Sequence, residues 1–440
     1  MSAVTRSARR VAPRFRAQLS RVLSTPLARD VLMMVLIFAC LRTLAIIGVG
    51  IARARDTPSY FDLQPFGGSQ RLWTIPLLWK LLPADSQRVG GQLLLGIVAW
   101  SALAAAVARS VSEPRLARLG AAAVLLVGLS PPVTQWDTVL LSESIALSLT
   151  VLLIAALLEL RRGLTSGTLA VVLALATLWS FTRQVNVMLL ILLLPLALWF
   201  LFRKGERRIA VIGSIVLLVV ALWGAVAVAR TPSSLWRFNA FTILTARVLP
   251  DRDEAGFFLE RGLPQSAALR RVVSRKAPIS GRSRAFKDPR MQRWLDHEWR
   301  SAYLAFLADS PVRVVRPFGH TLDLLDGDVT YARPRSVIPA PVEQLVFARA
   351  TGDIAFFGVL AIVLWPMSLR YGRPTGRDLL AWSLLGMAFA LILLTWHLAA
   401  VDLHRLNMPG AITARVGIVL LILFSLERMI GSRRWLVRDQ

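Results

Sequence analysis

Apolar runs of about 18–25 residues recur along this chain, and a run of that length crosses ~30 Å of hydrocarbon as a helix. They lie at roughly 30–52, 89–110, 117–133, 138–160, 166–182, 185–202, 209–229, 351–369, 379–399 and 408–427. The runs are continuous rather than alternating, which excludes a β-barrel. The expected class is therefore an all-α polytopic membrane protein with about ten transmembrane helices. A hydrophobic fraction of 55% and a mean hydropathy of +0.57 over 440 residues lie outside the range of an ordinary soluble domain.

The net charge of +26 follows membrane topology rather than nucleic acid binding. Basic residues gather in the head (Arg6 to Arg29) and in the turns holding Arg109, Arg115 and Arg118, then Arg161 and Arg162. They recur at Arg203 to Arg208, at Arg370 to Arg377, and in the tail from Arg428 to Arg438. The intervening loop 131–137 has no Lys or Arg. The positive-inside rule places both termini in the cytoplasm of a plasma or inner membrane, with the first run retained as a span.

Five regions follow. Residues 1–29 form a basic cytoplasmic segment, and 30–229 an N-terminal transmembrane module with a first outer loop at 53–88. Residues 230–350 form an extracytoplasmic cap, 351–427 the C-terminal spans, and 428–440 a cytoplasmic tail. In the first outer loop, Leu72 to Leu82 is amphipathic with Trp73 and Trp79, which predicts a helix lying at the membrane surface. The cap shows helical stretches near 251–262 and 289–309. The single Cys40 lies inside the first run and reads as packing. The four His are too scattered for a metal motif, and no Gly-rich phosphate loop is present.

Ionisable residues that could do chemistry collect at the outer ends of the spans, where charge near lipid marks a candidate functional site. Asp56 lies in DTPSYFDL after the first run, where its carboxylate could take a proton from a hydroxyl; Asp62 competes for that role, and Tyr60 stands between them. Glu143, in WDTVLLSESIALSLT, is expected about two turns into the fourth span, flanked by Ser142 and Ser144. Asp137 reads as a shallower charge at a helix N-terminus. Arg183 tips the tight turn between the fifth and sixth spans, and could grip a phosphate bidentately. Arg405, with Asp402 and His404, lies in a short outer loop, DLHRLNMPG, against the charge rule; Arg71 is a third candidate cation. The plain alternatives are a solvated loop carboxylate and arginines snorkelling to headgroups.

These residues resemble a known pattern. DTPSYFDL followed by RLWTIPLLWKLL, the LLSES run from Leu140 to Ser144, and DLHRLNMPG resemble the GT-C fold glycosyltransferases, particularly bacterial, protein mannosyltransferase-like members. Those enzymes use polyprenyl-phosphate sugars and carry an acidic residue in the first outer loop. The chain departs from the protein O-mannosyltransferases in lacking their paired acidic residues. The resemblance implies transfer of a hexosyl or pentosyl group to an extracytoplasmic glycan, lipid or protein. It implies Asp56 and Glu143 as catalytic residues and Tyr60, Asp62, Arg71, Arg183, His404 and Arg405 as substrate-binding ones. The partners implied are the lipid-linked donor and membrane lipids, with no nucleic acid. No cofactor is demanded, and a divalent cation is compatible with that fold.

Other readings stay open on the residues alone. A transporter or flippase would need charge deep in the bilayer, and Arg42 and Arg415 supply some. A lipid-linked glycan polymerase or ligase also uses outward arginines and a large outer loop, and is told apart by a polymeric product. In a non-enzymatic assembly subunit the carboxylates would be dispensable.

Overall fold

The structure, a computed structural model, describes residues 25–192, 194, 207–274, 284–325, 330–347 and 352–438. The expected basic head therefore lies almost wholly outside the described residues. The chain is an all-α polytopic membrane protein; the one β pairing among the described residues is an isolated parallel bridge between Ala52 and Val139.

Local signals set the helix ends. The first helix, α1 (Pro26–Ile46), begins with Pro at its first turn and Thr25 capping the Ala28 amide at 3.3 Å. A short amphipathic helix, α2 (Thr74–Leu81), precedes α3 (Asp85–Ser110) and α4 (Pro114–Leu129). Two short helical turns over 131–138 lead to α5 (Glu143–Arg162), which stops at Gly163. Next come α6 (Ser166–Ser180) and α7 (Arg207–Ala229). The cap contains α8 (Ser233–Ile243), α9 (Arg252–Leu259), α10 (Pro289–His297) and α11 (Trp299–Asp309). The chain then returns through α12 (Gly352–Ser368), α13 (Gly376–Leu398) and the long α14 (Leu403–Arg438).

Among the described residues, six helices are long and apolar enough to span a bilayer, or seven if α4 and the 131–138 turns, bent by 56°, form one span. The expected count was about ten. The difference has identifiable sources. Charges at Arg29, Asp30 and Arg42 take α1 outside that set, and α6 is short. The run 185–202 lies partly outside the described residues.

Helices α14 and α5 are the centre of the bundle. Their spanning stretches are 83% and 78% buried, against 22% for the peripheral α12. α14 packs on α13, α12, α5 and α4. Apolar side chains such as Leu36, Ile37, Leu222 and Ile362 stay exposed, as expected where the solvent is lipid.

Charge inside this bundle is paired. Arg42 on α1 holds Asp137 bidentately at 2.9 and 3.0 Å and donates to the Gly128 carbonyl at 2.8 Å. A Cβ on Gly96 of α3 would lie 2.6 Å from this guanidinium, so the missing side chain makes room for it. Asp137, expected as a shallow N-terminal charge, is fully buried; its partner is on a distant helix, which local sequence does not reveal. Arg415 on α14 holds Asp353 of α12 at 2.8 and 3.2 Å. The deep arginines that kept a transport reading open are thus both in bidentate ion pairs. Near the opposite end of α14, Arg377 pairs with Glu427 at 2.6 Å and Arg428 with Asp378 at 2.5 Å.

The cap region divides in two. Residues from Ala240 to Phe306 build a second hydrophobic core around Phe241, Phe258, Leu295 and Trp299. The later stretch, with Tyr331, Ile338 and Phe347, packs on the transmembrane core instead. Arg247 joins the second core to the membrane helices by donating to the Trp396 carbonyl and, at 2.6 Å, to the Ala399 carbonyl at the end of α13. Burial pushes that guanidinium down to about 10, and it pushes the neighbouring Tyr303 phenol up to about 12.

Candidate active site

The bridge between Ala52 and Val139 brings the loop after α1 against the segment before α5. The Ala52 amide donates to the Thr138 carbonyl at 3.0 Å, and the Leu140 amide to the Ala52 carbonyl at 2.9 Å. Gln92 on α3 holds the same segment from the other side, donating to the Trp136, Asp137 and Val139 carbonyls at 3.0–3.2 Å. With Thr138, Val139 and Leu140 engaged in this way, α5 starts at Glu143 rather than two turns earlier. The expected depth of Glu143 is corrected accordingly: it is the first residue of its helix.

Glu143 is 1% exposed and accepts from Arg183 at 2.8 Å through Oε1. The same oxygen lies 3.6 Å from Arg405. Its position in the first turn of α5 places the carboxylate at the positive end of the helix dipole. Its other oxygen, Oε2, is buried without a hydrogen-bond partner.

Arg183 leaves the end of α6 and is oriented by its donation to the Leu406 carbonyl at 3.2 Å. The α6 end is tied to the first outer loop, since the Thr74 hydroxyl donates to the Leu178 carbonyl at 2.9 Å. Arg405 lies on the first turn of α14, not in a loop; DLHRLNMPG is mostly helical, with Pro409 inside the helix. Asp402, just before α14, has a φ of +56°, an uncommon conformation for a residue with a side chain. Its carboxylate lies 3.2 Å from Arg405.

Asp56 joins this group from the loop. Its Oδ2 lies 3.1 Å from Arg71 and 3.4 Å from Arg405. Arg71 is held by a bond to Ser59 Oγ at 2.8 Å and sits 4.5 Å over the Tyr60 ring. Tyr60, expected as a substrate contact, is 1% exposed; its hydroxyl donates to Ser142 Oγ at 3.1 Å and its ring packs on Trp79. Trp79 is itself buried, so the amphipathic α2 packs the face carrying Ile75 and Trp79 into the protein.

Asp56, Glu143, Asp402, Arg71, Arg183 and Arg405 thus form one continuous network of charge. It stands at the end of α5 and α14 opposite Arg161, Arg162 and Arg428. Asp56 opens from it into a cavity of about 640 Å³, lined also by Arg55, Ser59, Asp62, Ser69 and Gln70. Asp62 is exposed on that cavity wall, outside the ion-pair network. His404 is half-buried, next to Arg405 on α14.

Tyr331 was not foreseen. Its ring lies 5.9 Å from the Arg405 guanidinium, and its amide donates to Gln135 Oε1 at 3.0 Å. Burial pushes its phenol upward, against the opposing pull of Arg405. It falls in an irregular stretch of the long cap segment, where no periodicity marks it.

Among the described residues, no three His, Cys, Asp or Glu side chains gather as a metal-binding set. The carboxylates of the site each face guanidinium groups. A divalent cation placed among them would meet Arg71, Arg183 and Arg405, so the residues present do not suit one.

No protein-family model matches the chain, and no curated protein matches it. By structure, the chain is similar to the archaeal oligosaccharyltransferase AglB from Archaeoglobus fulgidus in complex with an inhibitory peptide and a dolichol-phosphate. The identity is 14% and the TM-score 0.45, over 90% of this chain and 50% of that one. It is similar also to the Archaeoglobus fulgidus oligosaccharyltransferase in the apo form, with 15% identity and a TM-score of 0.43, over 89% of this chain and 50% of that one. The chain spans half the length of these proteins.

Proposed function

We propose that the protein is a membrane glycosyltransferase of the GT-C type, moving a sugar from a polyprenyl-phosphate donor to an extracytoplasmic acceptor. The observation that carries this reading is the placement of Asp56. Both arginine contacts fall on its Oδ2, at 3.1 and 3.4 Å, which leaves Oδ1 for a hydroxyl at the cavity wall. The site therefore offers a proton acceptor beside a cluster of guanidiniums.

The chemistry follows from that pairing. An acceptor hydroxyl in the cavity beside Asp56 gives its proton to that carboxylate while its oxygen attacks the anomeric carbon of the donor. The sugar–phosphate bond breaks with inversion, and charge develops on the lipid phosphate. Arg405 and Arg71 stand where that charge is stabilised. Glu143, buried behind them, holds Arg183 and Arg405 in place, so it acts as a positioning residue. Tyr60 does the same for Arg71 from beneath. Asp62, Ser69 and Gln70 supply polar contacts on the acceptor side. The donor is already activated by its phosphate, so no nucleotide site is required.

Purified protein in detergent should release polyprenyl phosphate and glycosylate an acceptor when given a labelled polyprenyl-phosphate sugar. Arg183→Gln should lower kcat by roughly ten- to a hundredfold, since it unseats Glu143 and Arg405 together without removing the base. Transport of the donor across proteoliposomes without product would replace the reading with a flippase. A long polymer in place of a single addition would replace it with a polymerase.

The site's outward orientation carries its own test. In a Cys40→Ser background, a cysteine at position 300 is expected to react with an impermeant reagent in intact cells, and one at 206 only after lysis. Labelling of position 206 from outside would invert the map.

A further inference from the structure

The proposed transfer does not use a second cavity, of about 440 Å³, formed by residues 48–52 and 331–335. Its ionisable lining is Tyr331, Arg333 and Arg335, with no carboxylate. Both arginines are exposed, and among the described residues neither has an acidic partner. The segment that carries them is fixed at both ends. The Tyr331 amide is held by Gln135, and the Arg335 amide donates to the Ala45 carbonyl, on the last turn of α1, at 2.9 Å. A Cβ built on Gly48 would lie 3.5 Å from the Arg335 guanidinium, which places that charge directly over the turn leaving α1.

The flank of this cavity is apolar and faces outward. Leu44, Ile47 and Ile51 are 51%, 52% and 43% exposed on α1 and the chain that leaves it. They continue the lipid-facing stripe of Met33, Leu36 and Ile37. Two guanidiniums without acidic partners suit a phosphate, which they can meet with several charge-assisted bonds. A free phosphate or an acidic peptide would have no use for the apolar flank. A molecule with a phosphate head and a hydrocarbon chain uses both.

We propose that this cavity is a lipid-phosphate site, in which Arg333 and Arg335 hold the phosphate while the chain lies along Leu44, Ile47 and Ile51. Its inner wall, Tyr331, is also the ring beside Arg405. A polyprenyl phosphate held here has that ring between it and Arg405, so the cavity holds the carrier before or after transfer while Arg405 and Arg71 meet the leaving phosphate during it; only this last step rests on the glycosyltransferase reading.

The test uses full-length protein in phosphatidylcholine nanodiscs and a photoreactive polyprenyl phosphate. Labelling is expected within residues 44–52 or 331–335. The Arg333→Glu/Arg335→Glu double variant should lose it by roughly tenfold or more, as two reversed charges at an anionic headgroup predict. The Arg333→Lys/Arg335→Lys variant should keep most of it, which separates charge from misfolding. Competition by unlabelled polyprenyl phosphate, but not by phosphatidylglycerol, assigns the site to polyprenyl carriers. Equal competition assigns it to anionic lipids in general, and lipid phosphate stands in both cases. Labelling outside both segments, or undiminished in the Glu variant, overturns the proposal. Labelling that persists in a protein with no transferase activity would sink the glycosyltransferase reading and leave the lipid site standing.

Discussion

Asp56→Asn is expected to lower sugar transfer by roughly 10²–10⁴-fold, the usual cost of losing a general base. The substitution preserves size and keeps a hydrogen-bonding group beside Arg71 and Arg405. Asp56 sits in a loop with its side chain 39% exposed, so it carries little packing, and expression and melting should stay near wild type. The loss should fall on kcat rather than on donor KM, because the amide leaves the phosphate-side arginines present. Asp62→Asn is the comparison. Its carboxylate is on the same cavity wall but outside the ion-pair network, so a milder effect is expected. Full activity in Asp56→Asn with a large loss in Asp62→Asn would move the base by six residues and keep the chemistry. Full activity in both would remove the catalytic carboxylate from this loop.

The second large effect concerns stability. Asp137→Ala leaves the Arg42 guanidinium buried without its anion, at 2% exposure, inside the bundle. Breaking such a pair from one side costs about 3–5 kcal/mol, because the remaining charge is uncompensated. The purified variant should melt well below wild type in detergent, or fail to accumulate in the membrane. The double variant Arg42→Met/Asp137→Leu should recover much of the loss, since it removes both charges and refills the space. Two outcomes would deny the pair this structural role: melting of Asp137→Ala at the wild-type temperature, or a double variant worse than the single one. The effect should also reach the site. Asp137 accepts from Ser144 at 3.1 Å, and its backbone belongs to the segment held by Gln92 beneath Glu143.

Several features were legible along the chain because they are local or compositional. Apolar runs of membrane length announced the class, and the uneven distribution of arginine set the expected orientation of the spans. The helical stretches of the cap were visible near 251–262 and 289–309, where the structure has α9, α10 and α11. The cost of charge near lipid is a general one, so it drew attention to Asp56, Glu143, Arg71, Arg183 and Arg405 without any knowledge of their neighbours. Those residues do meet in one network.

Helix boundaries and partners were the part that sequence left undecided. Glu143 looked as though it lay inside a span because Val139 to Ser142 are as apolar as the helix that follows. A bridge to Ala52 pulls that stretch out of the helix, and Ala52 is far away in sequence. DLHRLNMPG is expected as a short outer loop before the last apolar run, yet Arg405 lies on the first turn of a helix that is buried against α13 and α5. Asp137 reads as a shallow charge at a helix N-terminus, since nothing near it indicates that Arg42 will come to it across the bundle. Sequence by itself thus determined the class of protein and the end of the bundle where the candidate site residues collect, both of which depend on side-chain transfer energies and local periodicity. Only the tertiary structure decided which carboxylate faces a cavity and which is locked in an ion pair. That depends on contacts between distant helices, and the same residue type serves either end according to what is packed against it.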